Sequence, residues 1–320
     1  MGISGFTTIR NGISQGYPFL ETIASALPIC DEFLVSDGFS TDGTYEVLER
    51  AAAVNKKLRL FRDEWPVKQK PGGAIYKDVT NAIRRRCSSD YLFYLQANEV
   101  VHEDSSEYIA QIPEMLPSVN TFSFPFMYLL SNVKLLEGFR LRFSKNLDYI
   151  EAIDDAWTLG IHRSFVMKQT LRNLIHPKAL MVYLYRGMER TYADPSFNEL
   201  TRAIDLPKPI FRYYALFPAN FLEKMRGHSE LFGNETDEPT QLLQTLERLK
   251  DGSPEEFWRN ALKMVREAYG KSNVPTANYP PRLATVAPGE HPRIMRDFIG
   301  DSKTDRYGVR ESIIESIRSS

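Results

Sequence analysis

Short apolar runs alternate with helical periodicity through the first half of the chain, and this alternation narrows the fold more than any other feature. Ile3 to Ile9, Phe33-Leu34-Val35, Leu58 to Phe61 and Tyr91 to Leu95 have the length and apolar character of buried strands. Between them, Tyr17, Leu20, Ile23, Ala24 and Leu27 recur at helical spacing over Pro18 to Leu27. Ser40, Thr41 and Asp42 offer N-cap oxygens for a helix through about Ala53, and Ile75, Val79, Ala82, Ile83 and Arg86 mark a third helix after Gly72-Gly73. Strands separated by helices read as βαβ units, which predicts a Rossmann-like α/β domain with a mixed, mainly parallel sheet flanked by helices.

The pattern changes after Pro117. Asn120 to Leu130, Phe139 to Phe143 and Ala156 to Met167 read as longer, aromatic-rich strands with mixed or antiparallel pairing. From about Asp194 the chain reads as helical, with helices near Gln241 to Leu249, Pro254 to Tyr269 and Val309 to Ile317, and a proline-rich wrap over Asn273 to Pro292. The expected division is residues 1–190 as the sheet domain and 191–320 as a helical C-terminal extension. The aromatic segment Phe211, Tyr213, Tyr214, Phe217, Phe221 is expected to pack on the main domain.

Bulk properties exclude several function classes. With 40 basic and 41 acidic residues, the chain has no overall field to gather nucleic acid or anionic lipid. Cys30 and Cys87 lack zinc-ligand spacing and are read as reduced, buried thiols. No apolar stretch approaches the roughly 18 residues of a membrane span, and no signal-peptide pattern opens the chain, so a cytoplasmic location is expected. There is no G-x-G-x-x-G, no G-x-S-x-G and no H-E-x-x-H.

In an open α/β sheet, ligands bind where the carboxyl ends of strands converge. Three such ends are polar here: Thr8-Ile9-Arg10-Asn11, Asp37-Gly38 and Gln96-Ala97-Asn98-Glu99. Two roles are open for Asp37: accepting hydrogen bonds from a nucleoside, or capping the turn through Gly38. The triplet Arg84-Arg85-Arg86 reads first as cations favoured at a helix C-terminus, with a phosphate grip as the second role.

The segments IRNG, YPFLETIASALPICDEFLVSDGFSTDGT, GGAIYKDVTNAI and DYLFYLQANEVVHED, in that order over roughly the first 105 residues, resemble the family 2 glycosyltransferases of GT-A fold. IDDAW and GEHPRIMRDFIG are similar to later segments in one branch of that family. The resemblance implies an inverting transferase that moves a sugar from a nucleoside-diphosphate sugar, usually with Mg²⁺ or Mn²⁺, to a carbohydrate, lipid-linked or protein acceptor. A homodimer is possible. By position, Asp37 and Gly38 would hold the nucleoside with Thr8, Arg10 and Asn11 beside it, and Lys70 and Gly73 would lie near the donor. Asp154 or Asp155 would be the general base. Gln96-Ala97-Asn98 stands in the place of the metal-binding Asp-x-Asp, so a metal would be held by Asn98 and Glu99, and Leu184 stands where relatives carry a histidine. Neutral amides are weak ligands for a hard dication. The alternatives are a weakly bound metal, neutralisation of the diphosphate by Lys68, Lys70, Arg140 or Arg142, or a GT-A scaffold that has lost catalysis; a nucleotidyltransferase ranks below these.

Overall fold

The computed structural model describes residues 1–65, 74–153, 155–162, 201–232, 238–253, 256–263, 284–297, 299 and 311–320. The βαβ reading holds through β1 (Ile3–Ile9), α1 (Phe19–Ala26), β2 (Glu32–Asp37), α2 (Thr44–Val54), β3 (Leu58–Arg62), α3 (Ala74–Arg84) and β4 (Tyr91–Tyr94). Then come β5 (Glu99–Val100), α4 (Glu103–Met115), β6 (Thr121–Leu130), β7 (Val133–Lys145), β8 (Ile150–Ile153) and β9 (Thr158–Ile161). The chain continues with β10 (Thr201–Ala203), β11 (Ile210–Ala215), α5 (Pro218–Phe232), α6 (Glu238–Leu249), β12 (Ala284–Thr285) and α7 (Glu311–Ser319), with residues 256–263 also helical.

The main sheet runs β3-β2-β1-β4-β7-β6-β11-β5, with β10 beside β6 and β12 beside β7. β1, β2, β3 and β4 are mutually parallel. β7 then runs antiparallel to both β4 and β6, as the change of pattern after Pro117 suggests. Both faces of the sheet are covered, which explains the unbroken apolar runs. Phe33 and Val35 point into the larger core with α1, α2, α4 and α7, whereas Leu34 joins Phe6, Ile83 of α3, and Ile150 and Leu159 of the β8-β9 hairpin.

One part of the sequence reading needs correction. The segment after Asp194 was expected to be helical, yet residues 201–203 and 210–215 are strands of the main sheet, so the sheet draws on both sides of residue 190. β11 is buried along its whole length, with Ile210 and Tyr214 in one core and Phe211 and Tyr213 in another. Adjacent aromatics therefore face opposite layers, and a strand covered on both sides shows no polar alternation to betray it. α7 seats Ile313, Ile314 and Ile317 in the larger core, and the Ile317 carbonyl accepts from Asn55 Nδ2 at 2.6 Å. Cys30 and Cys87 are buried free thiols, as expected.

Candidate functional site

The ends of β1 and β2 are stitched into one loop pair. Ile9 and Asp37 lie side by side in the sheet, and Gly38 N–H donates to the Ile9 carbonyl at 2.8 Å. Asn11, with φ of 53°, donates its backbone N–H to Ser40 Oγ at 2.8 Å, and its side-chain Oδ1 accepts Thr41 N–H at 2.9 Å. Asp37 is fully buried: Oδ2 accepts Ser40 N–H at 3.0 Å and lies 3.7 Å from Arg62 Nε, while the buried Oδ1 has no hydrogen-bond partner among the described residues. The turn-capping role is thus filled by one oxygen, and the other is left as an unmatched acceptor. Gly38 is required by close approach, because a Cβ there would meet the Trp65 indole at 2.7 Å. Trp65 in turn meets Tyr76 of α3 edge-on at 5.6 Å. Thr8 is half-buried one position before the end of β1. Arg10 follows it and counters the upward push that burial, Tyr17 and Asp155 exert on the Tyr76 hydroxyl.

The end of β4 is tied to the Ala156 turn through two donors, while Gln96 Oε1 is buried with no hydrogen-bond partner among the described residues. Tyr94 Oη and Gln96 Nε2 both donate to the Ala156 carbonyl, at 2.8 and 3.0 Å. Ala156 is buried with φ of 60°, so β4 clamps the strained turn that carries Asp155. Ala97 is buried, and Asn98 Nδ2 donates to the Tyr213 carbonyl of β11 at 2.9 Å. Glu99 is buried and spans the Arg142 guanidinium: Oε2 accepts Nε at 2.8 Å and Oε1 accepts Nη2 at 2.6 Å, while Gln96 N–H also reaches Oε2 at 3.1 Å. Asn98 and Glu99 therefore belong to the β5-β11-β7 framework.

Asp155 and Trp157 bring the remaining groups together. Asp155 Oδ1 accepts Trp157 N–H at 3.2 Å. The Trp157 ring receives two guanidinium groups, Arg212 of β11 at 4.1 Å and Arg140 of β7 at 5.2 Å. Arg140 also lies over Phe126, and Arg212 over its cross-strand neighbour Tyr128. Burial, then the charges of Arg142 and Arg212, push Arg140 down to about 10, partly offset by Glu99 and Asp155. Lys224 of α5 is buried over the rings of Tyr214 and Tyr17, and burial followed by Arg212 holds it well below the usual lysine range. Burial lifts Tyr17 to about 12 against the pull of Arg212.

The row Asp37, Gly38, Trp65, Tyr76, Asp155, Trp157, Arg140 and Arg212 thus links strand ends that the sequence marked separately. Lys68, Lys70, Gly73, Asp154 and Leu184 lie outside the described residues. The sequence reading missed Trp157, Arg212, Lys224 and Tyr76 as site residues; their signal is an aromatic beside a cation, which only the assembled sheet makes visible. Arg84-Arg85-Arg86 takes its structural role in part: Arg86 forks onto Asp63 with two 2.7 Å bonds, and Arg84 is buried.

No family model and no curated protein matches the chain. Among solved structures, the chain is similar to a mannosyltransferase from Pyrobaculum calidifontis in complex with GDP-Man and Mn²⁺, with 16% identity, a TM-score of 0.30, and 38% of this chain aligned to 34% of that one. S. aureus TarS 1-349 in complex with UDP-GlcNAc shares 14% identity at a TM-score of 0.34, over 86% of this chain and 76% of that one. Glucosyl-3-phosphoglycerate synthase of M. tuberculosis shares 13% identity at a TM-score of 0.37, over 74% of this chain and 82% of that one. At such values no residue role passes from these proteins to this chain. Among the described residues, no helix is long and apolar enough to cross a membrane.

Proposed function

We propose that the protein transfers a sugar from a nucleoside-diphosphate sugar to an acceptor hydroxyl, with inversion at the anomeric carbon. The observation that carries this reading is the buried, unpartnered Oδ1 of Asp37, bound through Ser40 to the Asn11 loop at the carboxyl end of the parallel strands. A buried acceptor without a donor is costly, and a nucleoside supplies ribose hydroxyls or base N–H groups at that kind of strand end. The resemblance of DGFSTDGT and YLQANEVVHE to family 2 glycosyltransferases points to the same chemistry.

In this reading Asp37, Gly38, Thr8, Arg10 and Asn11 hold the nucleoside, and Asp155 is the general base. The acceptor oxygen bonds to the anomeric carbon as the bond from that carbon to the β-phosphate oxygen breaks. The diphosphate leaves with the electron pair, and Asp155 takes the acceptor proton. Asp154, the adjacent acid, is the second candidate for that proton.

The test is a donor screen read by product detection, with three variants. Asp37→Ala is expected to abolish nucleotide binding, and Asp155→Asn, or failing that Asp154→Asn, to remove turnover while sparing binding. Unchanged binding and turnover in all three sinks the assignment. A second reading, a scaffold that binds nucleotides without transfer, draws on the engagement of Glu99 and Asn98 within the framework; turnover of any donor excludes it.

A further inference from the structure

We infer that Gln96 and Tyr94 are positioning residues: from the end of β4 they hold, through a single carbonyl, the turn that aims Asp155. The inference rests on the general-base reading above and names what keeps that acid in place.

The turn joins β8 to β9, and the body of the protein fixes it at three levels. On the β8 side, Asn81 of α3 donates Nδ2 to the Ala152 carbonyl at 3.1 Å and accepts the Ala152 N–H at Oδ1 at 2.8 Å. On the β9 side, Thr158 Oγ1 accepts the Leu141 N–H of β7 at 3.1 Å. At the tip, the Ala156 N–H donates to the Ile153 carbonyl at 2.8 Å, and the Ala156 carbonyl accepts from both Tyr94 Oη and Gln96 Nε2. Two donors thus fill the two lone pairs of that oxygen. Ala156 needs such restraint, because a φ of 60° is unfavourable for a residue with a Cβ and persists only where the surroundings hold it. Asp155 directly precedes it, and its Oδ1 accepts the Trp157 N–H across the turn.

That carbonyl decides the chemistry needed at position 96. Only the nitrogen of the Gln96 amide can face it, since an oxygen there would repel it, and an ionised carboxylate could not donate at all. Gln96 Oε1 is buried with no hydrogen-bond partner among the described residues, so it stays an acceptor, and the other half of the amide makes the clamp whatever Oε1 meets. Burial, opposed by Arg142, pushes the Tyr94 hydroxyl up, so the second donor keeps its proton through the neutral range. A misplacement of about 1 Å can cost an enzyme on the order of a hundredfold in rate, and these two donors fix the backbone immediately after Asp155.

The test compares Gln96→Glu and Tyr94→Phe with the parent in the full chain, by hydrogen exchange and by steady-state kinetics. Exchange at the Trp157 amide is read in EDTA, so that no cation is held by the new carboxylate. At pH 8 this amide is expected to exchange at least about fivefold faster in Gln96→Glu than in the parent, because the ionised group repels the Ala156 carbonyl. The ratio should close toward one as pH is lowered to 5, since burial raises a carboxyl toward that range and the protonated group donates as the amide did. Tyr94→Phe should also exchange faster, by a ratio that pH does not change. With the donor that the screen yields, kcat of Gln96→Glu at pH 8 should be about tenfold lower, the loss of about one net hydrogen bond, with the donor KM within about twofold of the parent. The kcat ratio should recover with the same pH dependence. Tyr94→Phe, which buries no charge, carries the test if Gln96→Glu does not fold. Parental exchange at Trp157 in folded variants overturns the inference, as does a pH-independent ratio in Gln96→Glu, or faster exchange with kcat unchanged. The two readings fail separately: faster exchange in a protein that turns over no donor supports the clamp and refutes the transferase.

Discussion

The two carboxylate oxygens of Asp37 sit in different circumstances, and the neighbouring glycine shows how little room that arrangement has. Oδ2 is tied to Ser40 N–H and faces Arg62, while Oδ1 is sealed from solvent without a donor. Gly38 packs its Cα against Trp65, and Trp65 leans on Tyr76, so one added methyl group propagates from the nucleoside end toward the Asp155 turn. Gly38→Ala is expected to force Trp65 aside, with a loss of about 1–3 kcal/mol of stability typical of overpacking and a matching loss of nucleotide affinity. Chemical denaturation and calorimetry check both. Gly289→Ala, with nothing within 4 Å of the added Cβ, is the control and should stay within about 0.5 kcal/mol of the parent. A Gly38→Ala protein with parental stability and affinity would mean that the Trp65 contact constrains nothing.

Among the elements, β5 is the shortest to matter, because its two residues place Glu99 against Arg142 of β7. Their side chains are 1% and 2% exposed, so removing one charge leaves the other buried and unbalanced. Glu99→Gln is expected to cost about 3–5 kcal/mol, while Glu99→Leu combined with Arg142→Met should recover most of that loss; urea unfolding of both variants decides it. Nothing in the sequence reveals this pair, since 43 residues separate its partners and Glu99 reads there as the last acid of a metal motif. The parallel strands were legible because each carries an apolar run long enough to be covered on both faces, with helix periodicity between. Asp37 and Asn11 were legible for the same reason, as polar residues at the ends of such runs. α4 was not, as Ile109 and Ile112 are its buried apolar anchors and Pro113 interrupts its last turn. β10 and β12 span two or three residues and exist only through pairing with β6 and β7. Trp157 meets Arg212 only after β11 has been inserted beside β6, a long-range event that local pattern does not encode.

Across the whole molecule, acid acts first on histidine and then on carboxylates. His291 is buried, and its Nδ1 shares a 2.9 Å hydrogen bond with Tyr213 Oη, which ties the segment after β12 to β11. Burial, aided by the charge of Arg296, holds it down to about 4 from 6.5, although a backbone hydrogen bond at Val286 and the charge of Glu290 pull upward. His102, which caps α4, is lowered too, by burial and then by Lys208 and Arg296, against Glu103 and Asp104. A histidine whose folded-state pKa is depressed binds its proton more readily in the unfolded chain, so stability falls as pH drops below 6.5 and the loss levels off near 4. Glu32 has a lower window: burial raises it, but hydrogen bonds from Ser4, Ser88 and Arg59 bring it to about 2 from 4.5. Its stabilisation is complete above 4.5 and is lost on descending toward 2. A Tm series from pH 8 to pH 3 should therefore decline in two stages. His291→Phe should flatten the first stage, leaving the residual slope of His102, and should not alter the second. A first-stage slope in His291→Phe equal to that of the parent would show that His291 does not couple the closing segment of the chain to the sheet through its proton.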